Sequence, residues 1–233
     1  MTGPRASGNR VWITRAQPGA DRTATNLTIL GFQPIVAPLL RIEPLAIDPD
    51  LSGITALAFT SGNAVTAFAA LTSRRDWPAF TVGDATADIA RAAGFADVRS
   101  ANGAVADLVN LIAASRSPDD GPVLAPGARE PAADLAAALA GRVAVRTLPV
   151  YQATETGTAP PAAFDIVLTQ SPRAARALAG CLSPETARSC VLVAISPAAA
   201  APLSALDFAE IRIATVPTGA ALIAALGNPV RPV

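Results

Sequence analysis

Short runs of apolar and β-branched residues alternate along the chain with Ala- and Leu-rich stretches of helical length. The first run, Val11–Thr14, leads into a stretch from about Pro18 to Leu30 in which Ala20, Ala24, Leu27 and Leu30 recur at the spacing of one helix face. Gly31 follows, a residue that tolerates the positive φ expected just past a helix end. A strand near Pro34–Leu40 completes a strand–helix–strand unit. Eight more strands are predicted at Thr55–Phe59, Phe80–Val82, Asp97–Arg99, Val123–Ala125, Arg142–Val150, Asp165–Thr169, Val191–Ile195 and Ile211–Thr215. This alternation argues for βαβ units and parallel sheets. Ten strands are too many for one ordinary doubly wound sheet and fit two sheets of five.

An internal repeat supports that division. Pro18-Gly19 and Pro126-Gly127 lie 108 positions apart, Gly31 and Gly141 110, and Pro38 and Pro149 111. Further on, Phe59–Ala64 lines up with Leu168–Arg173, with Thr60 over Thr169, and Val82-Gly83-Asp84-Ala85 lines up with Ile195-Ser196-Pro197-Ala198 at 113. Two modules of about 110 residues follow from these offsets. Thr154–Ala163 is expected as a polar surface loop, Gly227–Val233 as a frayed tail, and Asp119-Asp120 as a solvated turn between modules.

Composition narrows the chemistry. Eighteen acidic and eighteen basic groups cancel, so nothing points to nucleic acid or an anionic membrane as partner. The chain has no His and no Lys; every basic residue is Arg. Imidazole-based nucleophilic and metal sites, Schiff-base lysines and the P-loop lysine are excluded together. Cys181 and Cys190 are too few for a disulfide framework and too far apart for a CxxC pair, and read as apolar thiols. Mean hydropathy is +0.40, so membrane spans need testing. The uncharged stretch Leu51–Ser73 is long enough, but Thr60-Ser61-Gly62-Asn63 interrupts it; Ser189–Leu206 is interrupted by Ser196-Pro197 and Pro202. Near the start, Arg5 and Arg10 precede Val11-Trp12-Ile13, but Arg15 ends that run far short of a signal peptide. No membrane span and a cytoplasmic protein are expected.

In open parallel sheets ligands bind beyond the carboxyl ends of the strands, so the strand-to-helix turns matter most. Four stand out: Thr60-Ser61-Gly62-Asn63, Gly83-Asp84-Ala85-Thr86, Thr169-Gln170-Ser171-Pro172 and Ser196-Pro197-Ala198. Ser or Asp before Pro or Ala reads as an N-cap with its first helical position, which makes Asp84 the cap of its helix. Capping alone explains each turn. Four helix starts could also offer unpaired N–H groups to an anion, with hydroxyls from Thr60, Ser61, Thr86 and Ser171 as neutral donors. No GxGxxG or Walker A pattern competes.

These turns, taken in order with Val11-Trp12-Ile13-Thr14-Arg15 and Pro149-Val150-Tyr151-Gln152, resemble the uroporphyrinogen-III synthase family over essentially the whole chain. The resemblance implies two doubly wound, flavodoxin-like parallel-sheet domains, the second inserted into the first and joined to it by a two-stranded linker. One domain would comprise residues 1–40 and 151–233, the other residues 41–150, with linker strands around Arg41–Pro44 and Leu148–Tyr151. It also implies a monomeric lyase of haem and tetrapyrrole biosynthesis that uses neither cofactor nor metal. Its substrate would be the polycarboxylate linear tetrapyrrole hydroxymethylbilane, cyclised with inversion of ring D and loss of water. On this resemblance Tyr151 is the catalytic donor that assists hydroxyl departure. Arg15, Thr60, Ser61, Asn63, Gly83, Asp84, Ala85, Thr86, Ser171 and Ser196 line the substrate cleft. The last turn departs from the family's usual Ile-Gly-Pro-Thr, reading Ile195-Ser196-Pro197-Ala198. That departure keeps an alternative open: a two-domain binding or sensor relative that closes on a small anionic ligand without turning it over.

Overall fold

A computed structural model describes residues 9–229; Arg5 and the last four residues of the Gly227–Val233 tail lie outside the described residues. In chain order the elements are β1 (Arg10–Ile13), α1 (Gly19–Ile29), β2 (Gln33–Val36), β3 (Leu40–Pro44), β4 (Ala56–Phe59), α2 (Gly62–Leu71), β5 (Ala79–Thr81), α3 (Asp84–Ala92), β6 (Val98–Ser100) and α4 (Val105–Ser115). They continue with β7 (Val123–Ala128), α5 (Leu135–Leu139), β8 (Val145–Glu155), β9 (Ile166–Thr169), α6 (Pro172–Cys181), α7 (Pro184–Ser189), β10 (Val191–Ala194), α8 (Pro197–Ala200), β11 (Glu210–Ile213) and α9 (Gly219–Ala224). The chain divides into two compact units, one carrying the chain up to Arg41 and again from Thr154, the other Ile42–Ala153.

The first unit holds a five-stranded sheet ordered β11-β10-β9-β1-β2, with all neighbouring pairs parallel. Side chains alternate across it, as the two-residue period of a strand requires. Val11 and Ile13 of β1 pack with Ala20 and Leu27 of α1 and Leu222 of α9 on one face. Trp12, between them, faces Ala175 and Leu178 of α6 and Ala187 of α7 on the other. Both faces are covered, which is why these strands read as nearly continuous apolar runs. The indole of Trp12 donates to the Ala37 carbonyl at 2.8 Å, so its one polar atom is satisfied inside the core. At the opposite end of the strand, Arg10 Nε and backbone N–H both reach Asp165 Oδ2 at 3.0 Å while Nη2 reaches Oδ1 at 2.9 Å, tying the starts of β1 and β9. Cys190 is buried in this unit, where burial pushes its thiol up to about 12 and leaves it chemically inert.

The second unit holds a six-stranded sheet ordered β3-β8-β7-β4-β5-β6. From β8 to β6 the pairs are parallel. Leu57, Phe59, Val65, Phe68 and Ala90 form the core under α2 and α3. Ala56, Ala58, Phe80, Leu108, Ile112 and Leu139 form the core under α4 and α5.

Several expectations need correction. The predicted strand Pro34–Leu40 is two strands in two sheets, β2 and β3. Pro38 has no N–H to give a ladder, and Pro34 is accepted because β2 is an edge. The sheets therefore hold five and six strands rather than five each. Counted in each unit's own order, and leaving β3 aside, the first sheet runs 2-1-3-4-5, the flavodoxin-like order, whereas the second runs 3-2-1-4-5. Alternation of strand and helix gives the succession of elements but not the direction in which each crossover winds. Here two crossovers carry the chain outward to β6 before α4 brings it back to the other side of β4. The predicted strand Arg142–Val150 starts later and runs on through Glu155, because Arg142 and Val143 turn back onto the Leu139 carbonyl.

Candidate active site

In the second unit, β4 ends at Phe59 and Ser61 caps α2, its Oγ accepting the Ala64 N–H at 3.2 Å. That leaves the N–H groups of Gly62 and Asn63 at the helix start without a partner among the described residues. Ser61 Oγ also lies 3.2 Å from the hydroxyl of Tyr151, the sole tyrosine of the chain. One lone pair of Ser61 is taken by the cap, while its own hydrogen is available to the phenol oxygen. A Ser61-to-Tyr151 bond of that sense frees the phenolic hydrogen to be donated elsewhere. Tyr151 is held from three sides: its ring is buried in the core under α2, its carbonyl accepts the Arg129 N–H at 2.8 Å, and β8 shifts register between Gly127 and Ala128 of its partner strand. A bulge of this kind re-aims a side chain at the end of a ladder.

On the neighbouring strand β5, the cap of α3 is Gly83, with extended φ of −163°, and Asp84 is the first helical residue. Asp84 is therefore not the cap. The Gly83 carbonyl already accepts Thr86 and Ala87, so the helix begins one residue earlier than the side-chain chemistry of Asp84 implied. The N–H groups of Asp84 and Ala85 have no partner among the described residues, and both residues are exposed. Thr86 is buried and its N–H is spent on the Gly83 carbonyl, so of the four residues of this turn it is the one withdrawn from solvent.

In the first unit three turns lie at the carboxyl ends of the adjacent strands β1, β9 and β10. Thr14 is buried and donates to the Leu168 carbonyl at 2.7 Å. Arg15 follows it, with its guanidinium so close over Gly19 that a Cβ there would fall 2.5 Å from Nε and Nη2. Among the described residues Arg15 has no hydrogen-bond or ion-pair partner. Its pKa is pulled below the usual arginine value by burial, then by neighbouring Arg22. This half-buried guanidinium, in the turn that leads into α1, has no counter-ion among the described residues and has the chemistry to take an anion. Ser171 caps α6 through Ala174 at 3.1 Å, and the neighbouring Gln170 has a buried Oε1 with no partner among the described residues. Ser196 caps α8 through Ala199 at 3.2 Å in extended backbone, φ −162°, so serine in place of the family's glycine costs no strain.

Two sequence expectations change here. The four helix starts are not equivalent: α2, α3 and α6 have nine or ten residues, whereas α8 has four, too short for an appreciable dipole. The repeat also slips by one, since the matching caps are Ser61 and Ser171, which sets Thr60 over Gln170 rather than Thr169.

Sequence reasoning missed one feature of the second unit, a pocket of about 290 Å³ lined by Thr60, the β7–α5 loop and Thr147–Pro149. The available signal was Pro126-Gly127, which lies near the end of β7 and is the repeat partner of Pro18-Gly19 at the start of α1. Beside it Arg129 Nη1 donates to Gln152 Oε1 at 2.8 Å, and Gln152 Nε2 donates to Glu43 Oε2 at 3.0 Å.

Parallel sheets with chemistry-bearing turns beyond their carboxyl ends define an α/β protein of the small-molecule-binding kind. Among the described residues no helix is long and apolar enough to cross a membrane, and no three His, Cys, Asp or Glu side chains gather into a metal-holding group. The family model described as uroporphyrinogen-III synthase HemD matches residues 21–224, and the chain belongs to that family of cyclising lyases of haem biosynthesis, which act on hydroxymethylbilane. The fold is similar to that of uroporphyrinogen-III synthetase from Helicobacter pylori 26695, at 17% identity and a TM-score of 0.63, covering 94% of this chain and 98% of that one. It is also similar to a mutant uroporphyrinogen III synthase from the extremely thermophilic bacterium Thermus thermophilus, at 17% identity and a TM-score of 0.54, covering 93% of this chain and 98% of that one. No curated protein matches the chain.

Proposed function

We propose that this chain performs the family reaction as a cytoplasmic monomer of two doubly wound domains, with Tyr151 as its one proton-donating side chain and backbone N–H groups as its main anion ligands. The carboxylates of hydroxymethylbilane would be held by the free N–H groups of Gly62, Asn63, Asp84 and Ala85, by the hydroxyls of Thr60 and Ser171, and by Arg15. Gly83 and Ser196 shape their turns, and Thr86 supports α3 from within. Neutral donors suit a ligand with many carboxylates, because they bind it without a dense cationic cluster that would also attract other polyanions.

Chemically the protein has little to supply. The electron pair of the terminal pyrrole expels the substrate's hydroxyl, the carbon–oxygen bond breaks, and the phenol of Tyr151 donates the proton that completes water. The azafulvene cation left behind is attacked by the substituted α-carbon of ring D. The older bond from that carbon to the bridge of ring C then breaks, leaving the cation on ring C. Ring D closes onto that bridge through its free α-carbon, so the ring is inverted and the proton lost in this last step returns to the phenolate. No imidazole or amine is needed. The observation that carries this reading is the 3.2 Å contact between Ser61 Oγ and the Tyr151 hydroxyl, in which either oxygen can donate: with Ser61 as the donor, the phenol hydrogen is left for the substrate. Incubating the protein with enzymatically generated hydroxymethylbilane tests it: the type III isomer should accumulate faster than the spontaneous type I isomer, and type I alone would refute it.

A further inference from the structure

The pocket beside Thr60 has the size and polarity of a subsite for part of the substrate. Its volume of about 290 Å³ falls just under the roughly 300–1,000 Å³ range that whole drug-sized ligands occupy, so it suits one ring rather than a tetrapyrrole. Its walls are mainly apolar, including Ala128, Leu135 and Pro149, which fits a flat heteroaromatic body. Two groups of opposite charge complete it. Arg129 is exposed, and one guanidinium nitrogen is held by Gln152, itself held by Glu43; the remaining N–H groups of that guanidinium have no partner among the described residues. Asp134 uses Oδ1 to cap α5, accepting the Ala137 N–H at 3.0 Å, while its Oδ2 has no partner among the described residues.

An occupant must therefore combine a planar apolar ring, an N–H donor for Asp134 and an anionic arm for Arg129. A pyrrole bearing carboxylate arms has all three. We infer that this pocket is the seat of one carboxylated pyrrole ring of the substrate, with Arg129 binding a carboxylate arm, Asp134 accepting the ring N–H, and Gln152 and Glu43 positioning Arg129. The inference rests on the substrate class proposed above and adds to it a residue set that the four strand-to-helix turns do not contain. It also explains why Gln152 directly follows Tyr151: one short segment of β8 would aim the proton donor and steady the clamp of the adjoining ring.

The test uses the full chain and a monopyrrole carrying one acetate and one propionate arm, titrated into isotopically labelled protein and followed by amide NMR. Chemical-shift changes should concentrate at Ala128, Thr147 and Leu148. Arg129→Gln should weaken binding roughly 10- to 100-fold, the range of a lost charged hydrogen bond. Asp134→Asn, which preserves the cap of α5, should weaken it less, and a pyrrole with methyl groups in place of both arms should not bind. Should Arg129→Gln fail to fold, Thr60→Val and the methyl pyrrole still decide the matter. Shifts clustered elsewhere, or wild-type affinity in Arg129→Gln or Thr60→Val, overturn the assignment. Because binding is read without turnover, this result is independent of whether the type III isomer forms.

Discussion

Replacing Asp84 by proline removes a single backbone donor from the start of α3 while leaving the helix intact. Asp84 is the first helical residue, where the fixed φ of proline fits and where the N–H has no bond to lose. Gly83 before it is extended, with φ −163° and ψ 171°, the backbone that a residue preceding proline prefers. Asp84→Ala serves as the reference, since it removes the same carboxylate but keeps the N–H. If that N–H holds a substrate carboxylate, the proline variant forfeits a charged hydrogen bond of about 1.5–3 kcal/mol. KM should then rise by roughly 10- to 150-fold over the alanine variant, at about 1.4 kcal/mol per factor of ten. The melting temperature should hold or rise by roughly 1–4 °C, because proline narrows the unfolded ensemble by about 0.4–1 kcal/mol, worth 2–4 °C per kcal/mol at this size. Steady-state kinetics with freshly generated hydroxymethylbilane and a thermal melt read both quantities. Equal KM values in the two variants would show that α3 is merely a capped helix and would refute anion binding there. Ala85→Pro, one residue on, should instead destabilise the protein, since it forces Asp84 out of helical backbone.

Tyr151→Phe should lower kcat by roughly 10- to 1000-fold, the range of a lost positioned donor, with KM little changed; wild-type turnover would reduce Tyr151 to a packing residue. If Arg15 holds a substrate carboxylate, Arg15→Met should raise KM yet leave the melting temperature level or higher, because a half-buried guanidinium with no partner among the described residues costs the free protein desolvation. Asp165 has its carboxyl held below the ordinary range by hydrogen bonds from Arg10, so its contribution to stability is complete above that range and is lost as pH falls through the lowered value. Thermal melts of Asp165→Asn should accordingly fall below wild type near neutral pH and converge with it in strong acid; a gap that persists there would contradict the assignment.

How legible all this was in the sequence differs from element to element. The extent of α1 and its Gly31 stop were readable because helical spacing and a positive-φ glycine, here at φ 87°, are local properties. The caps Ser171 and Ser196, each before a proline, were readable for the same reason. Gly83 was not, because a backbone cap leaves no side-chain mark and Asp84 beside it offers a better-looking one. The switch of sheets after β2 was hidden in one apolar run interrupted only by Pro38. The order of strands in the second sheet is set by long-range crossovers that no local pattern encodes. Tyr151 could be singled out as a residue but not paired with Ser61, ninety positions away. Arg129 went unnoticed because a single exposed arginine in a loop looks like any other, and only folding sets it beside Gln152 and Glu43.

The central claim is that a chain without His or Lys directs ring closure of hydroxymethylbilane through one tyrosine and a set of backbone donors. Chromatographic separation of the isomers formed from hydroxymethylbilane by wild type and Tyr151→Phe, in parallel with a protein-free control, tests it most directly. Wild type should give predominantly type III product, and Tyr151→Phe a slower reaction still enriched in type III. A product mixture from wild type that matches the protein-free control would contradict it.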